Sequence, residues 1–235
     1  MDAFDENAKG DFQKRLEEEK LASLQAFAYG ASHEINNPLA NISMRAQSLL
    51  VGETDAKKRE LLFAIYRQAL RAHAMIADMM TYARPPTPQR KEVDLVELAK
   101  TAIEEAQEPA KMQGTLLHLE AQAESAIVSA DANHVLVALR ALIDNALESL
   151  TQGGTIEVSV EDGAIMVRDD GPGMTDEIRR HCLDPFFSGR EAGRGLGFGL
   201  PKCWAIMKQH GGEIEVESEP GEGTCVTLRF SSVSN

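Results

Sequence analysis

The stretch Ala31-Ser32-His33-Glu34-Ile35-Asn36-Asn37-Pro38-Leu39-Ala40-Asn41-Ile42 decides how the first third of the chain folds. Around it, Leu24, Ala28, Ala31, Ile35, Ile42 and Leu49 recur at three- and four-residue steps or their sum, the seam of a packed helix. At about 100° per residue, His33 lies roughly 200° around from both Ala31 and Ile35, so it faces away from that seam. Asn37 falls one turn along on the same side, and Glu34 is adjacent, close enough in sequence to partner an imidazole nitrogen. Pro38 removes the helical hydrogen bond to the Glu34 carbonyl, at a cost of about 3 kcal/mol. Two readings account for that cost: a simple helix break, or a bend beside a nucleophile.

Outward from this stretch, one helical pattern runs from about residue 12 to residue 50 and ends at Val51-Gly52-Glu53-Thr54-Asp55. A second helix follows, with Leu62, Ile65, Ala69, Ala72, Ile76, Met79 and Ala83 as a heptad seam. Two amphipathic helices joined by a short turn make an antiparallel hairpin. One hairpin cannot cover its own stripes, so the pattern predicts two copies in a four-helix bundle, a homodimer. Arg84-Pro85-Pro86-Thr87-Pro88-Gln89-Arg90 then stops the helix and reads as a semi-rigid linker.

Beyond the linker the pattern changes. Val93-Asp94-Leu95-Val96-Glu97-Leu98-Ala99 begins a helix, Thr115-Leu116-Leu117-His118-Leu119 a strand, and Asn133 to Leu150 another helix. Thr155–Val160 alternates and ends at Asp162-Gly163, a hairpin signal, before Ala164–Arg168. Gly212–Ser218 and Thr224–Phe230 form a last pair, joined through Pro220-Gly221-Glu222-Gly223. The expected architecture is α plus α+β, a helical hairpin followed by a sandwich of helices on a mixed sheet. Its parts are a tail at 1–11, the hairpin at 12–84, the linker at 85–91, the sandwich at 92–232 and a tail at 233–235.

Charge separates the same two parts. Of the 235 residues, the first 90 hold 12 Lys and Arg against 12 Asp and Glu, so the net charge of −13 falls wholly in the remainder. With no basic face to neutralise phosphates along a strand, a nucleic-acid partner is excluded. Cys182, Cys203 and Cys225 lack the spacing of a zinc site or a disulfide framework and read as core thiols. No apolar leader and no run of about 18 apolar residues occurs, which predicts a cytoplasmic protein without a membrane span. Only some twenty residues precede the first seam, too few for a further domain, so any input would have to come from a partner protein or a longer chain.

The second part carries four further boxes: Asp144-Asn145-Ala146-Leu147-Glu148-Ser149, Asp169-Asp170-Gly171-Pro172-Gly173-Met174, Asp184-Pro185-Phe186-Phe187-Ser188, and Gly193-Arg194-Gly195-Leu196-Gly197-Phe198-Gly199-Leu200. With His33-Glu34-x-x-Asn37-Pro38 they resemble, in order, the H, N, G1, F and G2 boxes of the two-component sensor histidine kinases, over about Leu21 to Phe230. The resemblance implies that the sandwich is an ATP-binding domain of the histidine kinase and Hsp90-like type. Neither a Rossmann nor a P-loop pattern fits the glycine-rich segment.

The same resemblance assigns roles. Asp169 would accept from the adenine amino group, beside Gly171 and Gly173, and Asn145 would be the Mg²⁺ ligand, an amide oxygen suited to a hard cation that keeps water and phosphate oxygens. Gly193, Gly195, Leu196 and Gly197 would bring backbone close to the phosphates ahead of a helix expected to start at Pro201 and end near His210-Gly211. Arg190 and Arg194 would offset phosphate charge, and Phe187 and Thr224 complete the ATP contacts. The family has an asparagine where Ala141 stands, and a lysine soon after its aromatic pair where Gly189-Arg190 stands.

Autophosphorylation is the implied reaction. Neutral His33 would attack the γ-phosphate of ATP, with Glu34 orienting the ring and taking its proton, and the phosphoryl group would pass to an aspartate on the receiver domain of a response regulator. Asn37 matches the position that holds water for dephosphorylating that regulator. Two other readings stay open: a nucleotide-binding phosphatase or scaffold that does not phosphorylate itself, which Ala141 supports, and a dimeric ATPase on the same nucleotide fold, which leaves His33-Glu34-x-x-Asn37-Pro38 unexplained.

Overall fold

The structure, a computed structural model, describes residues 34–161, 163–189 and 197–231, together with Glu19, Ser23, Ala26, Gly30 and Ser32. The chain divides into two compact units between Pro85 and Pro86.

In the first unit, residues 34–50 form helix α1 and Ala56–Ala83 form α2, paired as a helical hairpin. Gly52, at φ +84, makes the turn that a side chain would strain. Asp55 then caps α2, accepting from the Lys57 and Lys58 amides at 2.9 and 3.0 Å. No helix break occurs at Pro38. Both Glu34 and Pro38 are exposed, so the carbonyl that loses its helical donor can turn to water.

The strip that α1 covers is Asn36, Leu39, Ser43, Ala46 and Leu50, not the seam expected from Ile35, Ile42 and Leu49, which are 43%, 45% and 62% exposed. A two-helix hairpin buries one strip of each helix and leaves the other for something else to cover. In α2 the expected seam holds at Ala69, Ile76, Met79 and Ala83, all buried, while Ile65 is left exposed.

The second unit runs β1 (Lys91–Asp94), α3 (Leu95–Gln113), β2 (Leu116–Ala121), β3 (Ile127–Ala130), α4 (Ala132–Leu150), β4 (Thr155–Glu161), β5 (Ala164–Asp169), α5 (Asp176–His181), α6 (Gly199–His210), β6 (Glu213–Ser218) and β7 (Thr224–Arg229). The large sheet has the order β2-β4-β5-β7-β6, with β2 parallel to β4 and all other neighbours antiparallel. One sheet face, including Leu117, Ile156, Val158, Ile165, Val167, Val226 and Leu228, packs beneath α3, α4 and α6 to form a single core. The other carries the alternate, more polar residues, as the regular burial alternation of β4 shows.

Three elements escape a pattern reading: β1, β3 and α5. Val93 and Asp94 lie in β1 instead of a helix, because Asp94 caps α3, accepting from the Val96 amide at 3.0 Å and the Ala126 amide at 2.9 Å. Strands of four residues cannot show a period. The helix expected from Pro201 begins at Gly199 and closes on Gly211 in the left-handed conformation. All three cysteines are buried and unbridged.

Candidate nucleotide and phospho-acceptor sites

Five segments of the second unit bring the nucleotide-box residues together. Asp169 ends β5, is 6% exposed, and is paired in register with Thr224 at the start of β7. Its Oδ1 accepts from the Gly171 amide at 2.9 Å and lies 3.2 Å from the Ser149 hydroxyl, which also reaches the Ala146 carbonyl at 2.8 Å. The packing leaves no space for a side chain at 171: a Cβ there would sit 2.6 Å from Asp169 Oδ1 and 2.9 Å from Ser149 Oγ.

Gly173, at φ +66, is held as tightly, since a Cβ would meet the Glu219 carbonyl oxygen at 1.9 Å. Gly223 closes the same turn against the Asp169 backbone. Ser218 binds this corner together, donating to the Gly223 carbonyl at 2.8 Å, accepting from the Met174 amide at 2.8 Å and lying 3.1 Å from Thr224 Oγ1. The loop after β5 and the β6–β7 turn thus form one rigid wall.

The opposite wall joins α4 to α6. Asn145, half-buried near the end of α4, lies directly against Gly199, the first residue of α6. Phe198 precedes that helix without a side-chain cap hydrogen bond, and the positive end of the helix dipole lies there. Gly197, at φ +69, abuts the Phe187 backbone, and Phe186 meets the ring of Phe198 edge-on at 4.8 Å. Ala141, one turn before Asn145, is 6% exposed within the core. Arg190, Gly193, Arg194, Gly195 and Leu196 lie outside the described residues.

At the far ends of α4 and α6 a second cluster fastens the incoming chain. Asp131 caps α4 and accepts from the Gln89 amide at 2.7 Å, while the Arg90 guanidinium donates to the Gln209 carbonyl. The Asp131 amide donates to His210 Nε2 at 3.0 Å, and His210 Nδ1 donates to the Ile206 carbonyl at 2.8 Å, which fixes a neutral imidazole. Burial first, then the His134 ring and Arg90, push His210 below its ordinary pKa, against the pull of Ile206 and Asp131.

In the first unit, Glu34 and Asn37 are both exposed on α1, as a group that meets a large reactant must be. Asn36 faces the covered side and donates to Ser32 Oγ at 3.2 Å. His33 lies outside the described residues. Sequence reasoning passed over Ser149 and Gly199. Ser149 follows Asn145 by one turn and so shares its helix face, while the tight approach of Gly199 has no sequence signal beyond the glycine itself.

Comparison with known proteins bears on both units. Residues 23–88 match the His Kinase A (phospho-acceptor) domain, and residues 130–233 match the family described as histidine kinase-, DNA gyrase B- and HSP90-like ATPase. The sensor histidine kinase ZraS of Klebsiella oxytoca is 31% identical over 92% of this chain and 49% of its own length. Sporulation kinase C of Bacillus subtilis is 28% identical over 88% of this chain and 49% of its own. The chain spans about half the length of these curated relatives. Among solved structures, full-length ShkA in complex with AMPPNP superposes with a TM-score of 0.70 at 22% identity, over 92% of this chain and 47% of that one. Histidine kinase ThkA in complex with the response regulator protein TrrA gives 0.66 at 22%, over 94% and 65%. At these identities the structures establish a shared fold.

Proposed function

Because this chain belongs to the sensor histidine kinases and carries their catalytic core, we propose that it autophosphorylates on His33 from ATP and passes the phosphoryl group to an aspartate of a response regulator. The observation that carries the reading is the convergence of Asp169, Thr224, Asn145 and the first turn of α6 on one site, in a chain that also presents Glu34 and Asn37 on an exposed helix.

In this reading Asp169 accepts from the adenine amino group, with Gly171 and Gly173 holding the loop beside it. The first amides of α6 receive phosphate charge, with Phe187 and Gly197 at the base of the glycine-rich segment and Arg190, Gly193, Arg194, Gly195 and Leu196 completing it. Among the described residues no group of three or more His, Cys, Asp or Glu could hold a metal. Asn145 is a neutral oxygen ligand of the kind that suits Mg²⁺, which takes its remaining ligands from phosphates and water. When bound, that ion would neutralise charge developing between the β- and γ-phosphates.

At the acceptor, a nitrogen of neutral His33 forms the new bond to the γ-phosphorus while the bond to the bridging oxygen of ADP breaks. Glu34 orients the imidazole and takes the proton from its other nitrogen. Asn37 places water for the reverse duty, removing phosphate from the regulator. A second copy of the chain would cover Ile35, Ile42 and Leu49, giving the homodimeric bundle. No helix of the described residues is long and apolar enough to cross a membrane.

Incubation with γ-labelled ATP tests the proposal. Acid-labile, alkali-stable label that is absent in His33→Ala is the expected result, and unlabelled wild-type protein overturns it. The second reading, a nucleotide-binding phosphatase or scaffold, is favoured by Ala141, where an apolar side chain occupies the core-facing position of a family asparagine. Unlabelled protein that binds ATP and dephosphorylates a regulator would establish it.

A further inference from the structure

The chain that enters the second unit is fastened beside a buried pair of imidazoles. His210, at the end of α6, is 3% exposed and His134, in the first turn of α4, is 9% exposed, with their rings edge-on and centroids 5.6 Å apart. His210 Nε2 accepts from the Asp131 amide at 3.0 Å, and the carboxylate of the same Asp131 accepts from the Gln89 amide at 2.7 Å. Asp131 is thus a joint: His210 sets its backbone, and its side chain sets Gln89. Arg90 adds a second tie, to the Gln209 carbonyl next to His210. The titratable and charged groups that face His210 are Asp131 and His134 from α4 and Arg90 from the entering chain, while Phe230, after β7, contributes its ring edge at 6.1 Å. A proton on Nε2 would turn the acceptor into a donor aimed at the Asp131 N–H. It would also set a cation beside His134 and Arg90, against one carboxylate already engaged by the Gln89 and Asn133 amides.

We propose that this pair is a proton-operated latch: neutral His210 keeps the entering chain fastened at Gln89 and Arg90, and protonation of His210 releases it while the sheet and its core stay folded. Local release is the cheaper response, because Gln89 and Arg90 are exposed whereas the core around Leu139, Ile206 and Leu228 is fully buried. Burial holds the fastened imidazole below its ordinary pKa, and release returns it to water. The released form therefore binds more protons below about pH 6.5, and opening grows as pH falls.

The test is hydrogen exchange of the full chain, read on the segment from Pro86 to Lys91 with β4 and β5 as reference, each rate divided by its intrinsic value at that pH. From pH 7.5 to pH 5.5, exchange at Gln89 is expected to rise several-fold, up to about the tenfold that one ordinary imidazole allows over that interval, while β4 and β5 stay protected. His210→Gln offers an oxygen in place of Nε2 and takes up no proton, so its exchange at Gln89 is expected to be level across the same range. His134→Phe keeps a ring in the pair and removes one opposing group, so a smaller rise is expected; this variant decides the matter if His210→Gln does not fold. Exchange at Gln89 that ignores pH in wild type, a loss of protection shared equally by β4 and β5, or a rise of wild-type size in either folded variant overturns the proposal.

Discussion

The α-carbon of Gly199 rests against the side-chain amide of Asn145: a Cβ at 199 would lie 2.6 Å from Nδ2 and 2.8 Å from Oδ1. Gly199 is helical and has no left-handed φ, so alanine there suits the backbone and even favours α6. The three atoms nearest to such a Cβ all belong to Asn145. The atoms met are the far end of a flexible side chain, which can swing aside at little cost to the fold, so the change falls on the proposed nucleotide site. Gly199→Ala is expected to keep its melting temperature while losing about tenfold or more in ATP affinity, read by calorimetry beside thermal unfolding.

Gly173 is the opposite case. Its φ of +66 and the 1.9 Å approach to the Glu219 oxygen make any side chain a strain on the fold itself. Gly173→Ala is expected to destabilise the second unit by about 2–3 kcal/mol, seen as a melting temperature lower by roughly 5 °C or more.

His210 makes stability depend on pH. Its folded pKa lies below the ordinary value, so between that depressed value and about 6.5 the unfolded chain binds more protons than the folded one, and stability falls as pH falls through this window. Protonation would remove the acceptor of the Asp131 amide and place a cation beside His134 and Arg90. Urea unfolding is expected to show a lower midpoint at pH 5.5 than at pH 7.5. His210→Gln is expected to be less stable at pH 7.5 and to lose most of that difference. A midpoint in wild type that does not drop would contradict it.

Ile42 separates the hairpin from its assembly. It is 45% exposed in the single chain, on the face that a second copy would cover. Ile42→Glu is expected to leave helix content intact and to convert a dimer to a monomer in light scattering, because a desolvated carboxylate at such a seam is far costlier than one in water. Ala46, buried within the hairpin, predicts the reverse: Ala46→Glu should lose helix as well.

The fold was legible where periodicity is long. The α2 seam and the alternation of β4 could be read directly, and so could the cap at Gly211. On α1 the apolar seam and the strip that the hairpin covers differ, because the covered strip includes Asn36 and Ser43, which an apolar pattern does not pick out. Asp94 was read as helical because its capping bond to Ala126 spans thirty-two positions, beyond any local signal. At the site, Asp169 and Asn145 announced themselves through their boxes. Ser149 and Gly199 act by distances of a few ångströms to residues far along the chain, which no spacing encodes.

The fastening of Gln89 and Arg90 has a mechanical meaning. They are tied to Asp131 at the start of α4 and to Gln209 at the end of α6, while Asn145 and Gly199 sit at the other ends of the same two packed helices. Helix α4 is a rod of about 28 Å, and α6 lies against it. A pull on the chain entering at Gln89 is therefore applied to one end of a paired lever whose other end is the proposed nucleotide site. Strain would arrive there as a change in the gap between Asn145 and Gly199, with no need for the sheet to deform.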